Sequence, residues 1–108
     1  MGRAIIKLHD YYFEYSTIPD APVTFGMKRE EFEEYYRSEY GNAGMEELKT
    51  RMLRVDEKGT SFFSDKSAGE ILSCNRAGPK EKRLTIDEIY KAYCLREPIC
   101  NGWKPEEA

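Results

Sequence analysis

Between Arg3 and Ser16, apolar residues fall on alternate positions either side of His9-Asp10. If those two residues form a tight turn, Leu8 faces Tyr11, Ile6 faces Phe13 and Ala4 faces Tyr15. All six side chains then share one face of a β-hairpin, because side chains alternate along a strand. The other face carries Ile5, Lys7, Tyr12 and Glu14 and reads as mostly polar. A slip of one residue would scatter the apolar set, so the pattern fixes the register. Asn-Gly or Asp-Gly would be a stronger turn signal than His-Asp. A loop with Pro19 and Pro22 follows, and Val23-Thr24-Phe25, ended by Gly26, is expected as a third strand.

The period then changes. Over Lys28 to Tyr40, Phe32, Tyr35, Tyr36 and Tyr40 fall on one stripe at helical spacing. Met27 is placed to pack on Phe32, and Gly41 to end the helix in a left-handed conformation. Glu39 is expected at the rim of the core, facing a base. Over Met45 to Glu57, Met45, Leu48, Met52 and Val55 make a second stripe, closed by Gly59. The short link predicts an antiparallel helical hairpin. Ser61 to Ser64 reads as a short strand or buried loop. Ser67-Ala68-Gly69-Glu70 and Thr85-Ile86-Asp87-Glu88 are capping boxes, each opening a helix. The second of these puts Ile86, Ile89, Tyr90, Tyr93 and Cys94 on one arc, with Pro98 as its stop.

These elements predict an α+β fold: a small antiparallel sheet, covered on one face by three to four helices. The length of 108 residues predicts a single domain over 1–108. Residues 99–108 are a C-terminal tail whose Trp103 is expected to fold back, since burial removes a large apolar area from water.

Composition narrows the function classes. Charged residues make up 34% and hydrophobic residues 40%, which argues against global disorder. No apolar run approaches a membrane span, and the start lacks the apolar core of a signal peptide. The net charge of −3 disfavours a dedicated nucleic-acid binder. Eight tyrosines could stack on bases, but most of them fit core stripes. The cysteines, Cys74, Cys94 and Cys100, are odd in number and lack metal-ligand spacing, so free thiols in a cytoplasmic protein are expected, with no metal and no cofactor.

His9 beside Asp10 is better read as a turn than as a proton-transfer pair. Cys94 lies late in a helix, where the dipole disfavours a thiolate. No nucleophile, base and orienting group can be assembled, so no catalytic residue is assigned.

Two charge features stand out. From Glu30 to Glu47 there are seven acids against one base, Arg37. Glu30, Glu33, Glu34, Glu46 and Glu47 are the candidate residues for docking another protein with a basic surface. A solvated helix face accounts for the same residues, since Glu33 and Glu34 stand at ion-pair spacing from Arg37. Arg76, Lys80, Lys82 and Arg83 form the second candidate, a loop that could bind a nucleotide or other phosphorylated ligand. The expectation is a non-catalytic protein–protein interaction module. By size and charge alone it is comparable to small inhibitors or adaptors of phage or plasmid type, acting in the host cytoplasm if viral.

Overall fold

The computed structural model describes residues 3–61, 67–99 and 102–105. Three strands, β1 (Arg3–Leu8), β2 (Tyr11–Ser16) and β3 (Ala21–Pro22), form an antiparallel sheet in the order β1-β2-β3. The hairpin register pairs Ala4 with Tyr15, Ile6 with Phe13 and Leu8 with Tyr11, as the alternation predicts. His9 takes a positive φ of 53° to close the turn, and its ring packs against Tyr90 at a tilt of 56°, with centroids 4.3 Å apart.

The third strand falls two residues before the expected Val23–Phe25. Ala21 and Pro22 pair with Ser16 and Tyr15. An edge strand tolerates Pro22 because its missing N–H faces away from the ladder. The chain then stays beside β2: the Val23 N–H donates to the Glu14 carbonyl at 2.8 Å, and Met27 bridges Tyr12. On the far side of β1, Thr60 bridges Ile6 and the Ser61 N–H donates to the Ile5 carbonyl. The remainder of the strand expected near Ser61–Ser64 lies outside the described residues, as does Cys100.

Among the described residues three α-helices follow, rather than four. The two helices expected at Lys28–Tyr40 and Met45–Glu57 are one element, α1 (Arg29–Lys58), interrupted at Gly41. Gly41 has φ 69° and ψ −167°, not the left-handed helical cap expected, and this backbone region is essentially reserved for glycine. A straight helix would separate Arg29 from Asp56 by about 40 Å. Their side chains instead meet at 3.2 Å, so the chain reverses at Gly41 and α1 is a hairpin of two antiparallel limbs. Glu31 reaches back to the Lys28 N–H at the start, and Gly59 ends the second limb at φ 83°.

Helix α2 (Ala68–Leu72) and helix α3 (Ile86–Ile89) both open with the predicted capping boxes, Ser67/Glu70 and Thr85/Glu88. Helix α3 widens into a π-helical turn over Tyr90–Cys94, and the Tyr93 carbonyl accepts the Gly26 N–H at 2.8 Å. Among the described residues, no helix is long and apolar enough to cross a membrane.

Both faces of the sheet are buried, and this corrects the one-sided picture. Ile6, Phe13 and Tyr15 pack with Ile71 and Leu72 of α2 and with Ile89, Ala92 and Tyr93 of the α3 segment. Trp103 folds back against this cluster, as its apolar area demands. Ile5 and Tyr12, on the face that reads as polar, pack with Phe32, Tyr36, Leu48, Met52 and Val55 of α1. The sheet is therefore a middle layer, with the helical hairpin on one side and the short helices on the other.

Candidate functional site

Burying Phe32, Tyr36, Leu48, Met52 and Val55 against the sheet leaves the other side of both α1 limbs in solvent. An open groove of about 590 Å³ runs between the limbs on that side. The half-buried Met45 and the 68% exposed Leu53 stand at its apolar edge, above the buried Leu48 and Met52. Its charged rim is balanced: Arg29, Arg37 and Lys49 stand against Glu33, Glu46 and Asp56. Arg29 is held between Glu33 at 3.6 Å and Asp56 at 3.2 Å, and Lys49 is 4.0 Å from Glu46.

This geometry divides the five candidate glutamates. Glu33 and Glu46 line the groove and are ion-paired there. Glu30 and Glu34 are exposed on the outer side of the first limb, beyond the groove rim. Glu47 is exposed too, but helical periodicity puts it with Arg51 and Arg54, on the opposite edge of the second limb. Residues 30, 33, 34, 46 and 47 thus share one hairpin without forming one continuous band. Glu39 is exposed, away from the core rim where its spacing predicts it.

Glu14 is a feature that sequence reasoning missed. It is 1% exposed, in the middle of β2. Its carboxylate accepts hydrogen bonds from the Tyr35 hydroxyl at 2.5 Å and the Tyr40 hydroxyl at 2.8 and 2.9 Å, with the Arg3 guanidinium at 3.6 Å. Burial, and then the bond to Glu14, push the Tyr35 hydroxyl far above its ordinary pKa and raise that of Tyr40. The network ties the first α1 limb to β2 and makes the carboxyl group tolerable inside the protein. Arg51 extends the same tie, donating to the Tyr36 hydroxyl at 2.6 Å and to the Arg3 carbonyl at 3.2 Å. Replacing Glu14 with Ala strips two tyrosine hydroxyls and Arg3 of their acceptor, and is expected to cost about 2–4 kcal/mol. Urea denaturation measures this; a loss below about 0.5 kcal/mol would remove the network from the account of stability.

The basic loop is partly committed to the protein itself. Arg76 lies 3.8 Å from Asp20 and 3.4 Å from Glu81, and Arg83 donates to the Ser73 carbonyl at 3.4 Å. Lys80, Lys82 and Arg83 are exposed, and Lys80 and Glu81 both hold positive φ, 55° and 60°. Asn75 at the base of the loop is buried, with its amide bonded to Leu72, Ala77 and Leu84. That internal staple fixes the loop and leaves the Asn75 side chain no surface for a ligand.

Cys74 and Cys94 are free thiols. Burial pushes the Cys94 thiol up to about 12, which keeps it protonated and unreactive at neutral pH. The His9 ring lies on Tyr90, while Asp10 sits 3.9 Å from Lys28. Among the described residues, no group of three His, Cys, Asp or Glu side chains could hold a metal ion. Compared with protein-family models, with curated proteins and with solved structures, this chain matches none.

Proposed function

We propose that this chain is a non-catalytic interaction module that docks a basic partner surface through the acidic outer side of its helical hairpin. The observation that carries the reading is the state of Glu30 and Glu34. Both are exposed, and neither has an ion-pair partner among the described residues. Their helix is fixed by Phe32 and Tyr36 on the other side, so the charges are presented on a rigid support. Solvated, unneutralised carboxylates attract a basic surface over about a Debye length, roughly 8–10 Å at physiological salt. Glu33 and Glu46 add to the field at shorter range, with Arg29 and Lys49 partly cancelling it. The alternative reading, a phosphorylated ligand at the basic loop, has less support, because Arg76 already faces two carboxylates.

Reversing Glu30 and Glu34 to Lys tests the proposal. The fold should be unchanged, since neither side chain is in the core. Partners captured from the native host and identified by mass spectrometry should be lost from the double variant. For a captured partner, the association rate should fall about tenfold or more and should lose most of its salt dependence. A folded double variant that retains the same partners at the same rates would refute the reading.

A further inference from the structure

We propose that α1 is a two-state element, kept as a hairpin by Gly41 and Gly44, whose second state is one straight helix in a dimer that exchanges everything after Gly41 between two copies of the chain. This does not rest on the docking of a basic partner, since neither Glu30 nor Glu34 takes part. Three observations carry it.

The first is how little separates the two states. Within Arg29–Lys58, Gly41 alone leaves helical φ/ψ, and helix continues on both sides of it. No proline lies between residues 29 and 58. Rotation about two backbone bonds of Gly41, from φ 69° and ψ −167° to helical values, joins the limbs into one helix about 45 Å long.

The second is that the reversal depends on each glycine for a different reason. The backbone region of Gly41 is open to glycine and costly to any L side chain. A Cβ built there meets nothing within 4 Å, so alanine would be opposed by conformation and not by crowding. At Gly44 the reverse holds: a Cβ would collide with the Tyr40 Cβ. In a straight helix, residues 40 and 44 stand one turn apart, with Cβ atoms about 5–6 Å from each other, and the collision disappears. Alanine also suits a helix interior better than glycine at both positions.

The third is that the core can be rebuilt between two copies. Leu48, Met52 and Val55 of the second limb cover Ile5 and Tyr12. Beyond them Thr60 bridges Ile6, and α2 and the α3 segment cover the other face of the sheet. Straightening α1 carries all of these away from the hairpin and would bare both faces in a lone chain. Two copies, each giving residues 3–40 to one lobe and the residues after Gly41 to the other, restore these contacts. The Arg29–Asp56 and Arg51–Tyr36 pairs then form between copies.

The lobes hold the same contacts in both states, so tethering and the hinge set the balance. A short link holds the second limb at an effective concentration on the order of 1 mM, so the wild type should dimerise with a Kd on the order of 1 mM or weaker. Alanine at position 41 disfavours the reversal and favours the helix, twice per dimer. It should lower the Kd about a thousandfold or more.

Sedimentation equilibrium of the full chain, refolded from urea at about 1–100 µM, tests the proposal. The wild type should be a monomer, and Gly41→Ala and Gly44→Ala should be dimers. D-alanine placed at position 41 by chemical synthesis prefers positive φ and should keep the chain monomeric. Complementation identifies the exchange. Phe13→Asp and Leu72→Asp, each made together with Gly41→Ala, replace buried core residues and should not fold alone. Refolded as a mixture they should give a dimer with a cooperative thermal transition, because one of its two lobes then keeps both Phe13 and Leu72. A side-by-side dimer of hairpins offers no such rescue. A Gly41→Ala chain that is a cooperatively folded monomer, or that is unfolded and unassociated at 100 µM, would overturn the proposal. Dimers without rescue, or a D-alanine chain that dimerises like the L-alanine one, would overturn it as well.

Discussion

Replacing Phe13 with Asp is expected to abolish folding. Phe13 is fully buried on the sheet face that meets α2 and the α3 segment, directly across from Ile6. Losing the ring from a packed core costs about 3–5 kcal/mol. A carboxylate left there lies in a cluster of apolar and aromatic side chains, which adds several kcal/mol more. The sum rivals the whole stability of a small domain, about 5–15 kcal/mol. The contrast with Glu14, its chain neighbour, makes the test specific. Glu14 is just as buried, but it points to the other face and meets Tyr35, Tyr40 and Arg3. A carboxylate is therefore tolerated at one position and excluded at the next, according to which side of the strand holds donors. The purified Phe13→Asp variant should lack near-ultraviolet dichroism and a cooperative thermal transition. Phe13→Leu should fold with a loss of only about 1–2 kcal/mol. A Phe13→Asp protein that melts like the wild type would take the hairpin out of the centre of the fold.

The hairpin was legible because a period of two is unforgiving: Ile6 and Phe13 can share a face with Leu8, Tyr11, Ala4 and Tyr15 in only one register. The limbs of α1 were legible for a similar reason, as was the reversal between them, since a short glycine-containing link leaves two apolar stripes little choice but to pack together. The second covered face was not legible. Glu14 and Lys7 make that face look solvent-exposed, and single-residue polarity carries no sign of a distant donor. The signal was present in Tyr35 and Tyr40, whose hydroxyls can reach a carboxylate where phenylalanine could not. Reading it required knowing that α1 crosses β2. The third strand was misplaced because Pro22 reads as loop, whereas an edge position asks nothing of its nitrogen. The acidic candidates were read from a local excess of charge. Which of them keep that charge unpaired is a tertiary matter, settled by Arg29 reaching Glu33 and Asp56 while Glu30 and Glu34 stay in solvent.

The two-layered core also makes the fold sensitive to alkali. Burial raises the Cys94 thiol from its ordinary 9.0 to about 12 and the Tyr93 hydroxyl from 10.0 to about 12. Tyr93 also donates to the Ala77 carbonyl at 2.8 Å, a bond that requires its proton. The hydroxyls of Tyr15, Tyr35 and Tyr40 are raised as well, chiefly by burial. All these shifts have the same sign. Below about pH 9 the folded and unfolded chains both hold the protons, and the stabilisation is complete. As the pH rises past the unfolded values, the unfolded chain releases them while the folded chain retains them, so stability falls until the folded values are reached. At 1.36 kcal/mol per unit, Tyr93 contributes up to about 3 kcal/mol and Cys94 about 4 kcal/mol. With Tyr15 and Tyr35 shifted in the same direction, this is comparable to the whole stability of a domain of this size. Cooperative unfolding is therefore expected at about pH 11, within a window of roughly 9 to 12. Far-ultraviolet dichroism and tyrosinate absorbance, followed in one titration, read it directly. The buried hydroxyls of Tyr15 and Tyr93 should ionise in a steep step that coincides with loss of the helical signal and reverses on return to neutral pH. All eight tyrosines titrating near pH 10 while the helical signal persists to about pH 12 would mean that their burial contributes no pH-dependent stability.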